Sequence, residues 1–509
     1  MGGRTAWVLG DQLSHENPAL DGADRVLLIE SEARLRSRPH HRQRVHLYLV
    51  AMRSFAAELE DRGIEVDYRR APSFAAGVGT HRNRHRPREV VVLAPSSRGA
   101  RRGVEAIAGV DIAEGTLFLT GAEEFAAWAE GRKRLVMESF YRRQRRRLGV
   151  LMDGDAPAGG SWNFDPDNRR TPPAGVRPPR PYRPREGEVD ERVRADIDRM
   201  GLETYGEDGP RLWPATAAQA QRALARFVDE RLPEFGPWQD AMLNGERFMW
   251  HSHLSSALNM GLLAPMDCVE AAERAYRDGA APIESVEGFV RQVIGWREYV
   301  QGMHWLGGGM RRRANALRAR RPLPESLWSG ETEMRCVADA VAGLRETGYA
   351  HHIERLILFG NLMLLLGCRP QDCVDWFRDS FIDGNEWVMD ANVLGMATYA
   401  DGGGVMTKPY AAGGRYVDRM SDHCGECRYD PKQRTGEDAC PYSTLYWDFL
   451  DRNRDRLADN HRMLMAYRNL ERIDDDELDE IRSRARALRT RSRNGHPRGV
   501  TGERGSIRP

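Results

Sequence analysis

The 509-residue sequence predicts an α/β domain built on a parallel sheet, followed by an all-helical domain, with a long connection between them. Three observations carry this reading. Short apolar runs alternate with amphipathic stretches over the first 130 residues or so. A stretch rich in proline, glycine and arginine, with no apolar period, follows at 154–187. From Trp213 onward, helical patterns succeed one another without a strand signal.

The elements follow in order. Ala6-Trp-Val-Leu9 reads as a strand ended by the turn Gly10-Asp11, and Arg25-Val-Leu-Leu-Ile29 as a second strand ended by Glu30-Ser31. A helix is expected over Leu47 to Leu59, with strands at Ile64–Tyr68 and Glu89–Leu93. Strand, helix, strand in this order places helices on both faces of a parallel sheet, and ligands then dock at the carboxyl ends of the strands. No glycine-rich dinucleotide fingerprint follows the first strand, which excludes a standard NAD site. Further helices are expected over Ala217–Leu232, Val286–His304, Glu331–Thr347 and His351–Leu366. The divisions are thus 1–132 for the α/β domain, 133–212 for the connection and 213–481 for the helical domain. A basic tail at 482–509, poor in apolar residues, is expected to be disordered.

No apolar run approaches the ~20 residues of a membrane span. The N-terminus MGGRTAWVLGDQL lacks the apolar stretch and cleavage site of a signal peptide, so a cytoplasmic location is expected. The formal charge is only +1, yet arginine is crowded in Tyr141-Arg-Arg-Gln-Arg-Arg-Arg147 and after Ile481. Such runs suit a phosphate backbone or, equally, a solvated helix face.

Seven cysteines, an odd number, argue against a disulfide framework and for free thiols or metal. Cys424-Gly-Glu-Cys427 brings two thiolates onto one centre, Cys440-Pro441 adds a third, and the fourth comes from Cys268, Cys336, Cys368 or Cys373. Zinc and an iron–sulfur cluster both accept four thiolates, and the Cys-Pro dipeptide leans toward the latter. A centre filled by four cysteines has no open position for substrate, so its role is structural or electron-relaying.

Several longer segments resemble one family. Phe289-Val-Arg-Gln-Val-Ile-Gly-Trp-Arg-Glu-Tyr299, the block Phe248-Met-Trp-His-Ser-His-Leu-Ser-Ser256, Leu258-Asn-Met-Gly261, Phe381-Ile-Asp-Gly-Asn-Glu-Trp387 and Tyr349-Ala-His-His352 resemble the flavin-binding segments of the cryptochrome/photolyase superfamily. With WVLGDQL, MESFYRRQRRRLGVLMDG and GGSWNFDPDNR, the match is to its prokaryotic (6-4) photolyase branch, the iron–sulfur bacterial cryptochromes and photolyases. It extends from about residue 4 to about residue 480.

The resemblance implies FAD in the helical domain, a 6,7-dimethyl-8-ribityllumazine antenna in the α/β domain and a 4Fe-4S cluster whose fourth ligand is Cys336. Ser252, His253, Leu254 and Ser255 would hold the flavin pyrophosphate, and Trp296 would line the ring. Arg297 would meet a flavin phosphate or Asp383, with Glu298 orienting it; Asp383 itself would contact the flavin. Asn392 is the candidate amide at the ring's reactive edge. Gly10, Asp11, Glu30 and Ser31 are the antenna candidates.

Repair of a (6-4) lesion moves a proton with an electron, and imidazole suits that task. His351 and His352 are therefore the candidate acids, His352 first, with Tyr410 beside the lesion. Trp328 and Trp376 are the candidate electron relay. The branch often has tyrosines near Phe377 and Asn385 and a carboxylate at Met389, and here the chain departs from it. The expected activity is light-driven repair of pyrimidine (6-4) photoproducts in UV-damaged DNA by a monomer. The competing expectations are cyclobutane-dimer repair, a blue-light receptor without repair, and an iron–sulfur DNA-binding protein without flavin.

Overall fold

The computed structural model describes residues 2–115, 117–306 and 313–491. Strands β1 (Gly2–Val8), β2 (Arg25–Ser31), β3 (Glu65–Ala71), β4 (Pro87–Leu93) and β5 (Asp111–Ala113) form one parallel sheet in the order β3-β2-β1-β4-β5. The apolar runs that announced β1 and β2 lie in its centre. Ala6, Trp7, Val8 and Val26 to Ile29 are all buried, as a sheet covered on both faces requires. Helices Arg42–Asp61, Phe74–His85 and Arg98–Glu105 make the crossovers. Ser73 and Ser97 cap the latter two, each side-chain oxygen accepting from a backbone N–H, that of Ala76 and that of Ala100 respectively. The order of connection reverses between β1 and β4, and the crevice at their carboxyl ends is where such sheets bind ligands.

The connection is pinned to both domains. Asn168 donates to the Glu284 carbonyl oxygen at 2.9 Å, and Asp196, on helix Glu188–Met200, pairs with Arg53 at 2.8 Å. The arginine run is largely occupied within the chain. Arg145 is fully buried, Arg142 pairs with Glu138, Arg143 with Glu124, and Arg146 lies over the Trp162 ring.

The rest is helical. The expected single helix Val286–His304 is three consecutive pieces: α-helix Ile283–Val290, a π-helical turn Arg291–Arg297, and α-helix Glu298–Leu306. Two more π-helical segments occur, Glu354–Gly360 and Asp390–Ala397. They pack on one another so closely that a Cβ at Gly360 would lie 2.9 Å from that of Ala397. Such turns are rare and recur at functional sites.

One expectation is corrected. The segment from 482 is helical as far as Arg491, in a helix that begins at Asp475, because Ile481 and Ala485 are buried beneath it and Arg482 pairs with Asp451. Residues 492–509 of the expected tail lie outside the described residues. Among the described residues no helix is long and apolar enough to cross a membrane.

The seam between the domains is close-packed at Gly302, where a Cβ would fall 2.1 Å from the Phe125 ring. Gly302→Ala is expected to destabilise the protein by about 1–3 kcal/mol, the usual cost of overpacking, read as a lower denaturation midpoint with an unchanged slope.

Candidate active site and cysteine centre

Two of the three π-helical turns carry predicted flavin residues, Trp296 and Arg297 on the first and Asn392 on the last. Within otherwise buried helices, Trp296, Arg355, Leu356, Val388 and Asn392 stay partly accessible. Asp383 is buried. It accepts from Ser255 Oγ at 2.8 Å and from both terminal nitrogens of Arg355 at 2.8 and 3.1 Å. Arg355 in turn lies over the Phe381 ring at 4.3 Å. The partner of Asp383 is thus Arg355 and not Arg297.

Arg297 faces elsewhere. Its guanidinium pairs with Glu298 at 2.8 Å and lies 4.0 Å from the centre of the Phe118 ring. It lines a cavity of about 470 Å³ at the carboxyl ends of β1 and β4, with Asp11, Ser96, Gln301 and Trp387. Of the antenna candidates, Asp11 lines this cavity, its carboxylate accepting from Ser96 at 2.6 Å. Glu30 is held by Arg53 and Tyr68, Ser31 caps helix Glu32–Leu35, and Gly10 sits against Met52 and Tyr48.

The segment before Ser255 is a strained loop. Met249 (φ +44°) and His253 (φ +62°) both occupy the left-handed region, which costs of order 1–3 kcal/mol each for residues other than glycine. Buried Arg231 offsets part of this by donating to the Phe248 and Met249 carbonyl oxygens. Ser252 and Ser255 remain partly accessible, whereas His253 and Leu254 are buried.

His351 is fully buried, and His352 is half exposed, its Nε2 3.3 Å from Asp240 Oδ1. His251, which sequence reasoning missed as a functional residue, stacks on His351 with ring centroids 4.7 Å apart and meets His352 edge-on at 5.1 Å. Burial holds the His251 and His351 imidazoles neutral, well below the ordinary histidine range. Tyr410 is partly buried within the field of Arg169, Asp165 and Asp240, and desolvation raises its phenol.

An aromatic file leads away from the Arg355–Phe381 contact. Phe381 meets Trp376 at 5.6 Å, Trp376 meets Trp328 at 6.3 Å, and Trp328 meets Tyr205 at 5.3 Å. Asn385 accepts from Arg44 at 3.1 Å and from the Tyr48 hydroxyl at 3.2 Å, so a tyrosine of the α/β domain stands against that position.

Four cysteines from distant parts of the chain converge. Cys336 opens helix Arg335–Thr347, Cys424 lies within the turn His423–Glu426 and Cys427 just after it, and Cys440 precedes helix Pro441–Arg452. All four line one small cavity with Met334, Val417, His423, Tyr429 and Tyr442. Burial, and then the neighbouring thiols, push Cys336 well above the usual thiol range and Cys424 up to about 12; burial pushes Cys440 to about 11. Four thiolates there need a cation to hold them. Cys268, Cys368 and Cys373 lie buried elsewhere.

A family model described as deoxyribodipyrimidine photo-lyase-related protein matches residues 6–213. A (6-4) photolyase of Agrobacterium fabrum is 42% identical over 498 residues, 94% of this chain and 98% of that protein. This chain belongs to the (6-4) photolyase family. An uncharacterised protein of Acanthamoeba polyphaga mimivirus is 30% identical over 106 residues, 21% of this chain and 79% of that protein. The crystal structure of a bacterial class III photolyase from Agrobacterium tumefaciens shares the fold, with a TM-score of 0.58 at 15% identity over 96% of this chain and 98% of that one.

Membership of the photolyase family implies a flavin chromophore, and the chemistry of the residues around Asp383 fits one. They offer the Asp383–Arg355 pair, hydroxyls at Ser252 and Ser255, and two buried polar atoms without a hydrogen-bond partner, Ser256 Oγ and His253 Nε2. Arg355 was legible in one respect only: it stands four residues after His351 and so shares a helix face with it. Nothing local marked His251 or Asp240, since each meets its partner across 100 residues or more.

Proposed function

We propose that the protein restores pyrimidine (6-4) photoproducts in DNA in a light-driven reaction, with His352 as the proton donor. The observation that carries this reading is the placement of His352. It is half exposed, anchored by Asp240, whose charge Tyr410 also feels, and backed by buried His351 and His251. The 42%-identical (6-4) photolyase supports the same substrate.

The flavin, when bound, supplies the light-driven electron. The chain supplies everything else. Asp383, fixed by Arg355 and Ser255, would hold the ring together with the Asn392 amide and Trp296. Ser252, on the loop that Arg231 holds, and Ser255, at the start of the following helix, would receive the pyrophosphate beside His253 and Leu254. A lesion flipped out of the duplex meets His352 and Tyr410. His352 donates its proton to the migrating hydroxyl's oxygen and recovers one from water. Its attachment to Asp240 holds the ring in one orientation for that transfer. Buried, neutral His351 and His251 present an uncharged wall behind it. Trp376 and Trp328 stand as stepping stones to the surface, ending at Tyr205.

Cys336, Cys424, Cys427 and Cys440 are inferred to hold the 4Fe-4S cluster. A single tetrahedral zinc bound at ~2.3 Å sets its sulfurs ~3.8 Å apart. Among the described residues, no trio whose ligand atoms lie within 4.8 Å of one another includes a cysteine. The wider spacing favours a larger inorganic core, with each cysteine on its own iron. The interdomain cavity, walled by Phe118, Trp387 and Arg297, suits the planar lumazine antenna, with Asp11 at its edge.

The test is a repair assay with flavin-loaded protein on an oligonucleotide carrying one (6-4) photoproduct. Restoration in blue light and none in darkness is the expected result. No restoration in either condition would replace this reading by that of a photoreceptor.

A further inference from the structure

Among the described residues, three groups of histidine and carboxylate side chains bring their ligand atoms within 4.8 Å of one another: Asp67–His81–His85, His46–Glu186–Asp190 and His251–His351–His352. In the first two, the central side chains are taken up by hydrogen bonds and ion pairs, and each group already holds its own carboxylate. His81 lies between Thr5 at 3.0 Å and Asp67 at 2.6 Å, Asp67 also receives Arg69, and His85 Nε2 stands 3.4 Å from the same carboxylate without hydrogen-bonding it; Asp190 receives Arg211 at 2.7 Å, and the His46 ring stands 3.3 Å from its backbone carbonyl oxygen.

The third group is different. His251 and His351 are more than nine-tenths buried, yet His251 Nε2 and both ring nitrogens of His351 have no hydrogen-bond partner. Buried polar atoms are seldom left so, because an unmet donor or acceptor loses its bonds to water without replacement. Three ring nitrogens, one from each imidazole, thus converge where two of the three rings have lone pairs or protons to spare.

We propose that His251, His351 and His352 form a binding site for a transition-metal ion of the zinc class, and that its occupation reversibly stops repair. Three neutral imidazoles with an open fourth position are a donor set that zinc accepts. Carboxylates stand one shell out, Asp240 at 3.3 Å from His352 Nε2 and Glu354 at 3.6 Å from His351 Nε2, where such groups orient ligating rings. Half-exposed His352 gives the ion a route inward. His251 and His351 are stacked 14° from parallel, so their lone pairs converge after rotation about χ2, a soft torsion for histidine. An imidazole whose lone pair is held by a metal takes up no proton there, so a ligated His352 cannot become the imidazolium that serves as the acid. This second half rests on the reading of His352 as proton donor; the binding half does not.

The experiment uses tag-free holoprotein with its cofactors bound. Zinc binding is measured by equilibrium dialysis and metal analysis for the wild type, His251→Ala and His352→Ala, and wild-type repair is followed with added zinc and then with chelator. The wild type is expected to bind one more zinc per chain than either variant, or to bind it at least about tenfold more tightly. Its repair is expected to fall with that occupancy and to return with chelator. His352→Ala, altered at an exposed ring, keeps the test sound if His251→Ala fails to fold. Equal zinc binding by the wild type and His352→Ala, or full wild-type repair at saturating zinc, overturns the proposal. Should His352→Ala lose the zinc yet repair normally, the site stands and the proton-donor reading falls.

Discussion

His352→Ala lowers light-driven repair of a (6-4) photoproduct by about 10²–10⁴-fold, the range that a positioned general acid contributes. The flavin content stays unchanged, because the His352 side chain is half exposed and its one hydrogen bond goes to Asp240, away from the Asp383–Arg355 pair. The measurement is single-turnover repair per flash with protein matched for bound flavin. A parallel loss of flavin would show that His352 shapes the flavin site instead of supplying a proton. Asp240→Asn bears on the same chemistry more gently. It keeps a hydrogen-bond acceptor for the ring but removes the charge beside it, so the same assay is expected to show a smaller loss than His352→Ala, again at unchanged flavin content.

Asp383→Ala has the second large effect, on cofactor retention. Arg355 is mostly buried and gives two hydrogen bonds to Asp383, while its third, to the Ala350 carbonyl oxygen, is left behind. Breaking a buried ion pair by removing one partner typically costs about 3–5 kcal/mol. The expected outcome is purified protein without the flavin absorption band, with thermal unfolding lowered by several degrees. Flavin retained at the wild-type ratio would show that the pair is only structural.

The sheet and its ligand-binding edge were legible because β1, β2 and β4 are continuous apolar runs, the pattern of strands covered on both faces. Their ends were less so. β1 starts at Gly2 and not at Ala6, since Gly2 and Arg4 pair with Pro87 and Glu89 through the backbone ladder, to which side-chain character is irrelevant. The helix over 286–304 was visible as a periodic pattern, but the π-helical turn at Arg291–Arg297 leaves the same residue types in the sequence and shifts only the hydrogen bonds. The helix through Arg491 was hidden because few residues, chiefly Ile481 and Ala485, carry its buried face.

The site divides in the same way. Cys424, Cys427 and Cys440 stood out by spacing, whereas Cys336, about 90 residues upstream, needed the family resemblance to single it out from three other thiols. Arg297 and Arg355 are both arginines on π-helical turns, and only the three-dimensional path of those turns decides that Arg355 meets Asp383 while Arg297 faces the interdomain cavity. His251 lay in plain view within the Phe248–Ser256 block, yet its role depends on the stack with His351.

The central claim is that this site couples light-driven electron donation to proton transfer from histidine, which a (6-4) lesion needs and a cyclobutane dimer does not. The most direct test sets two oligonucleotides, one with each lesion, before the same illuminated holoprotein. The account predicts restoration of the (6-4) strand alone, lost in His352→Ala. Restoration of the cyclobutane strand, with the (6-4) strand untouched, would contradict it.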